Sequence, residues 1–226
     1  VEITYLTRFG GFQGRISGEE HKFGQLRLIQ RRAHDDPSTM LYIARMCVRS
    51  KLHNQRTLLL RSNRTRNHPK IEKAAALIGA LIERIDQLPS EDITPPNPTR
   101  PQSGTILGKL MGIEGKAATA YFSVFGLLFP DEWSKTFPGR RKRPPTDPIN
   151  SMLSFGYTLL TSRMTSAVYS VGFDPYVGYL HSTQYGNPAL ALDLVEMFRA
   201  PVVDSVVLTM INNRMIKLDD FEMQMG

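Results

Sequence analysis

Five prolines between Leu88 and Ser103 (Pro89, Pro95, Pro96, Pro98 and Pro101) constrain this chain more than any other feature. Each one fixes its own φ, removes a backbone donor and pushes the preceding residue toward extended conformations. The stretch is therefore a linker or extended loop, and secondary structure must be sought on either side of it. Upstream, residues 37–60 read as a helix. Pro37 and Ser38 begin it, and Leu41, Ala44, Val48, Leu52 and Leu59 recur at helical spacing, with Arg45, Arg49, Lys51 and Arg56 on other faces. His68-Pro69 interrupts the pattern, and residues 70–88 form a second amphipathic helix through Ile71, Ala74, Leu77, Ile78, Leu81 and Ile85. Downstream, a helical block covers Ser103 to Phe129. A Pro- and Arg-rich break runs from Pro130 to Pro148. Helices follow over about 147–171, 188–197 and 201–212, the first opened by Thr146-Asp147-Pro148.

Only the first 32 residues read otherwise. Val1 to Leu6 alternates in part, Gly10-Gly11 marks a turn, and Phe12 to Ile16 reads as a second short strand. Residues 23–32 fit a strand or the start of a helix equally. This is too little β structure to cover its own core, so it reads as the end of a larger β region. The expected fold is mainly α, or α+β overall, with residues 1–32 a remnant of a β domain and linker and residues 33–226 a helical domain.

The net charge of +7 is concentrated. Residues 1–73 carry 15 Lys and Arg against 6 Asp and Glu, whereas residues 74–226 carry 13 against 15. A basic front third points to a polyanion such as nucleic acid, with a solvated basic surface as the plain alternative. The single cysteine, Cys47, excludes an internal disulfide and a Cys-rich zinc site, and its neighbours make it a core thiol. No apolar run approaches the ~20 residues that span a bilayer, and no segment reads as a secretory signal, so the expected location is the cytoplasm. P-loop, GxGxxG, GxSxG and HExxH patterns are absent from the sequence.

Four places carry candidate chemistry. Glu114 sits in Gly112-Ile113-Glu114-Gly115-Lys116-Ala117-Ala118, where small residues let another backbone or a substrate come close. The bland reading is an exposed helical Glu. His181 ends an apolar segment, a position that suits a rigidly held metal ligand or a structural histidine. Asp193 and Glu196 share one helix face at i, i+3, and repel each other unless a cation lies between them or Arg199 neutralises a solvated face. Arg140-Arg141-Lys142-Arg143 places four positive charges between prolines, which suits a phosphate backbone or an ordinary exposed loop. Two Glu and one His together would suit Mg²⁺ or Mn²⁺ and phosphodiester chemistry.

Taken in order, several segments resemble the CRISPR-associated integrases that insert new spacers, the larger subunit of the adaptation complex. They are Lys51-Leu52-His53-Asn54-Gln55-Arg56, the Gly112–Ala118 stretch, Tyr121-Phe122, Asp147-Pro148-Ile149-Asn150 with Leu153-Ser154-Phe155-Gly156-Tyr157, and Gly172-Phe173-Asp174-Pro175. Gly178-Tyr179-Leu180-His181 and the stretch from Leu192 to Arg199 complete the series. The resemblance implies a Glu–His–Glu site for Mg²⁺ or Mn²⁺, carried here by Glu114, His181 and Glu196 as catalytic residues and ligands. Asp193 matches an acidic position near the metal, and Lys116, Asn150, Tyr157 and Arg199 match supporting positions. It also implies attack by the 3′-hydroxyl of a short duplex on a phosphodiester at the repeat boundary, without ATP. The implied partners are double-stranded DNA (spacer duplex and CRISPR repeat), a second copy of the chain and a small ferredoxin-like adaptation subunit. Expected DNA contacts are Arg140, Arg141, Lys142 and Arg143, with Arg56 and Arg61. The family has several more N-terminal strands. A metal-dependent nuclease of branched or repair DNA, and a DNA-binding subunit without catalysis, are the competing readings.

Overall fold

The computed structural model describes residues 3–8, 10–16, 23–90, 104–141, 144–181 and 186–222. Two strands, β1 (Ile3–Leu6) and β2 (Phe12–Ile16), pair antiparallel with Ile3 opposite Ile16 and a bulge between Tyr5 and Leu6. All other regular structure among the described residues is helical: α1 (Gly24–Asp35), α2 (Pro37–Asn63), α3 (Pro69–Asp86), α4 (Ile106–Phe125), α5 (Asp131–Ser134), α6 (Pro148–Ser170), α7 (Ala189–Phe198) and α8 (Ser205–Asn212). The mainly α reading holds, with a small two-stranded sheet beside it.

Three helices start the same way, with a capping side chain followed by proline. Asp36 accepts the Thr39 N–H at 2.9 Å ahead of Pro37, His68 accepts from the Lys70 N–H at 3.2 Å ahead of Pro69, and Asp147 accepts the Asn150 N–H at 2.9 Å ahead of Pro148. Proline at the first helical position lacks a donor that would be unpaired anyway, and its fixed φ already suits the helix. His68-Pro69 is thus a start signal rather than only a break.

The hairpin lies on α6. Thr4 Oγ1 and Ser166 Oγ are 3.0 Å apart, and Ser162 Oγ donates to the Gly10 carbonyl at 2.8 Å. Gly10 adopts φ +79°, and a side chain there would strike Leu159. Residues 24–35 are a helix, and α1 runs across residue 32, where the sequence placed a boundary. Its periodicity misleads because Leu28 and Ile29 are exposed while the buried residue is Gln30, which bonds to a loop rather than packing in a core.

The longest helix, α2, is the axis of the body. It packs on α1, α3, α4, α7 and the turn after α7. Its core-facing residues Ala44, Val48, Leu52 and Leu59 join Ile71, Ile78 and Ile85 of α3 and Leu110, Tyr121 and Phe125 of α4 in one apolar cluster. The stretch from Pro130 to Pro148 is not featureless: α5 inserts Trp133, 2% exposed, edge-on to Phe221.

The helices expected at 188–197 and 201–212 form one continuous run, because a single π-helical turn (Arg199–Asp204) joins α7 to α8. Pro201 explains the wide turn. It has no N–H to give the Met197 carbonyl four residues back, and the ladder runs five residues back to the end of the turn, where Ser205 N–H donates to Ala200 O. The orphaned Met197 carbonyl is taken by Asn54 Nδ2 of α2 at 2.8 Å. Asn54→Ala is expected to lower the unfolding free energy by about 1–3 kcal/mol, the cost of stranding a partly buried acceptor. Adding Pro201→Ala supplies the missing N–H and should recover part of that loss. Urea titrations of both single variants and the double variant give the coupling, and strictly additive losses would dissociate Asn54 from the turn.

Candidate functional site

The site is built outward from a carboxylate that never meets solvent. Asp193 of α7 is 0% exposed. Its Oδ2 accepts the backbone N–H groups of Tyr179 and Leu180 at 2.6 and 3.0 Å. Its Oδ1 accepts the backbone N–H of His181 at 2.9 Å and faces His181 Nδ1 at 2.8 Å. Three converging amides offset the cost of burying the charge. Gly178 permits this close wrap, since a Cβ there would come within 2.7 Å of the Ala189 Cβ and 3.0 Å of Asp193 Oδ2. From the other side α1 clamps the same loop. Gln30 Nε2 donates to the Asp174 and Val177 carbonyls at 2.8 and 3.0 Å, its Oε1 accepts the Asp174 N–H at 2.8 Å, and His34 Nδ1 lies 2.6 Å from the Gly178 carbonyl. His181 is therefore fixed. With Nδ1–H donated to Asp193, the neutral ring carries its lone pair on Nε2.

A second group of charges faces His181. Glu196, 6% exposed, receives Arg199 Nη2 at 3.1 Å and Lys51 Nζ at 2.5 Å. Lys51 also pairs with Glu114 of α4. One ammonium thus bridges carboxylates from two helices. Burial pushes the Glu196 carboxyl up, but Lys51 and then Arg199 outweigh it and leave it below the ordinary value.

The third group surrounds Asp204, 1% exposed at the end of the wide turn. It accepts the hydroxyls of Tyr121 at 2.8 Å and Tyr157 at 2.5 Å. Burial raises its carboxyl to about 6, against the opposing pull of both tyrosines, Arg199 and Arg140. Burial likewise holds both phenols well above their ordinary range, so they stay neutral donors. The Tyr157 ring has the guanidinium of Arg199 at 4.7 Å and that of Arg140 at 5.3 Å from its centroid.

These groups share the wall of one cavity of about 520 Å³, which Glu114, His181, Glu196, Lys51, Arg199 and Asp204 all line. A groove of about 510 Å³ adjoins it along the hydroxyls of α6, with Arg140, Tyr157 and Arg199 common to both. Glu114, His181 and Glu196 thus meet on one surface. Among the described residues, however, no three His, Cys, Asp or Glu side chains stand together at ligand spacing, because Lys51 sits between the two glutamates. The solvated-face reading of Asp193 and Glu196 is excluded by their burial, although the Arg199 pair it invoked does form.

Other residues lie elsewhere. Asn150, fully buried, accepts from Arg140 Nη1 and the Arg141 N–H and donates to the Gly139 carbonyl and Asp147, so it braces the loop before α6. Arg140 is consequently no free loop cation: it bonds Asn150 and Ser154 and sits in the cavity wall. Arg141 is exposed, and Lys142 and Arg143 fall outside the described residues. Lys116 is exposed and does not line the cavity. Arg61 is exposed, whereas Arg56 packs across α3, its Nε 3.1 Å from where a Gly79 side chain would begin. Sequence reasoning missed Lys51, Gln30 and Asp204. Lys51, placed by its spacing off the apolar face, is instead buried between Val48 and Leu52, because carboxylates from two other helices compensate its charge. Cys47 is the expected core thiol, pushed up to about 12 by burial. No described helix is long and apolar enough to cross a membrane.

The family model for CRISPR associated protein Cas1 matches residues 1–226. A CRISPR-associated endonuclease Cas1 of Thermus thermophilus is 37% identical over 222 residues, 98% of this chain and 59% of that protein. One of Chlorobaculum tepidum is 35% identical over 229 residues, 98% of this chain and 62% of that protein. The chain therefore spans less than two thirds of either relative. Among solved structures, a Cas1 protein from Thermotoga maritima superposes with a TM-score of 0.76 at 27% identity, over 99% of this chain and 64% of that one. A chain of a partial Cas6-RT-Cas1–Cas2 complex gives a TM-score of 0.78 at 27% identity, over 100% and 62%.

Asp204 generates a pH signature. Its carboxyl titrates near 6 in the fold against an ordinary 3.8, so between those values the folded state binds more protons than the unfolded state. Stability attributable to Asp204 therefore falls as pH rises through this window. Between pH 5 and 8 the wild type should lose about 1.4 kcal/mol relative to Asp204→Asn. Urea unfolding of both proteins at the two pH values checks this, and parallel profiles would refute the assignment.

Proposed function

The chain belongs to the CRISPR associated protein Cas1 family, and from that premise we propose that it is the catalytic part of a divalent-metal-dependent integrase that joins short DNA duplexes into a CRISPR array. The carrying observation is His181: Asp193 takes its Nδ1, and the residue lines a cavity whose wall also holds Glu114 and Glu196. A carboxylate behind an imidazole is the usual support of a metal-binding histidine, fixing both ring orientation and tautomer.

The donor types of these residues suit a divalent ion, which would take the place where Lys51 now stands between the glutamates. Two carboxylates and one imidazole suit Mg²⁺ or Mn²⁺, and the pair of glutamates already gathers a cation in Lys51. Glu114, His181 and Glu196 would hold the ion, which when bound polarises a phosphoryl oxygen and acidifies a hydroxyl nucleophile. The protein's own groups supply the rest. Arg140 and Arg199, both close to the Tyr157 ring, provide fixed positive charge for a phosphate, and Asp204 keeps that ring in place through its hydroxyl. In the reaction the 3′-oxygen of the incoming strand bonds to phosphorus. The bond from phosphorus to the 3′-oxygen of the repeat strand breaks, and that oxygen takes up a proton. Phosphodiesters are conserved in number, so no nucleotide cofactor is consumed.

The partners of this reading are double-stranded DNA, a second copy of the chain and the small ferredoxin-like subunit. The basic front third, exposed Arg61 and the loop carrying Arg141, Lys142 and Arg143 support the DNA contacts. A solved Cas1–Cas2 assembly with the same fold supports the small subunit.

A strand-transfer assay tests the proposal, using the full chain, the small subunit, a labelled duplex and a supercoiled repeat-bearing plasmid. EDTA should abolish joining. Glu114→Ala, His181→Ala and Glu196→Ala should each reduce it by about 10²-fold or more while DNA binding stays within a few-fold. Joining that survives EDTA, or survives all three substitutions, would sink the catalytic reading. Release of cleaved strands without joining would favour a nuclease that uses water as nucleophile at the same site.

A further inference from the structure

Lys51 is buried, 8% exposed, in the middle of the apolar stripe of α2. A lysine persists in such a place only when paired, since an uncompensated buried ammonium is very costly. Here it meets two partners from different helices, Glu114 of α4 and Glu196 of α7, and so ties three helices together through one charge. Glu196 keeps a second cation, Arg199, on its other oxygen. Two carboxylates cannot serve Lys51, Arg199 and a divalent ion equally. Adding two positive charges beside Lys51 would bring like charges into a gap already neutralised.

We propose that Lys51 is an internal counter-ion that competes with the divalent ion for Glu114 and Glu196, so that ion entry drives the ammonium out from between them toward the cavity. The inference rests on the metal reading given above. Its physical basis is the shared pair of acceptors. The ammonium holds the carboxylates together when the ion is absent, which keeps the core of α2, α4 and α7 folded without metal. Its flexible four-carbon stem, already at the cavity wall, lets it move without unfolding the helix. Once displaced, it faces the same space as Arg140 and Arg199, where a phosphate would need it.

Two measurements test this in the full chain. In the wild type, acylation of Lys51 by an amine-reactive ester, followed by peptide mass spectrometry, should be slow without metal and rise several-fold on adding Mg²⁺. Unchanged labelling would overturn the displacement. Second, Mn²⁺ affinity measured by calorimetry should tighten about tenfold or more in Lys51→Met and Lys51→Gln, the scale typical of coupling between competing ligands. Both variants without metal should melt lower than wild type and gain more from Mn²⁺, because the carboxylates have lost a partner. Equal or weaker Mn²⁺ binding in both variants would make Lys51 a fixed member of the site and refute the competition while leaving the metal reading intact. Absence of Mn²⁺ binding in the wild type and in both variants would overturn the metal reading itself. Should either variant fail to fold, the wild-type labelling alone decides.

Discussion

The cage around Asp193 organises what surrounds it. A fully buried carboxylate that receives three consecutive backbone amides and an imidazole cannot be moved without stranding charge or donors. That fact fixes the path of residues 178–181 against α7, and with it the direction of His181. It also explains why α1 matters. Gln30 and His34 satisfy carbonyls of the same loop, so hydrogen bonds hold the loop from both sides while Tyr179 and Leu180 pack into the core. The first helix of the chain thereby becomes part of the support of a site formed by helices far along it.

The wide turn after α7 is the second organising feature. A proline at position 201 removes one rung of the ladder, and the chain responds by widening one turn instead of breaking. Glu196, Arg199 and Asp204 then lie along one continuous helical run and reach the same cavity wall. Asn54 and Lys51, one turn apart on α2, serve the two halves of this arrangement: one takes the carbonyl that proline frees, the other takes the carboxylate one residue before it.

Much of this was legible from spacing alone. Caps, prolines and apolar periodicity located the helices, because helix starts depend on local chemistry that a sequence displays directly. The pairing of Asp193 with Glu196 on one face was equally readable, and so was Arg199 as a partner. What was hidden is whatever depends on a distant segment. Gln30 looks like a surface residue until residues 174–177 arrive beside it. Asp204 is an ordinary aspartate until Tyr121 and Tyr157 point at it from two other helices. Arg140 counts as one of four loop charges until Asn150 ties it inward. Lys51 belongs with these cases: spacing set it off the apolar face, and its burial becomes intelligible only once α4 and α7 bring Glu114 and Glu196 to it.

Charge balance links the cavity to its proposed chemistry. With all groups ionised near neutral pH, Glu114, Glu196, Asp193 and Asp204 supply four negative charges and Lys51, Arg140 and Arg199 supply three positive ones, the four carboxylates all on or just behind one wall. The protein alone is therefore close to neutral there, which is why so many buried charges can coexist in a folded chain. A divalent ion alone would tip the balance to the positive side, and a bridging phosphodiester alone would tip it further negative. Together they return it to neutral. On this count joint occupancy by ion and phosphate would be better balanced than either one singly, and without the lysine between its glutamates the empty wall would be more negative still.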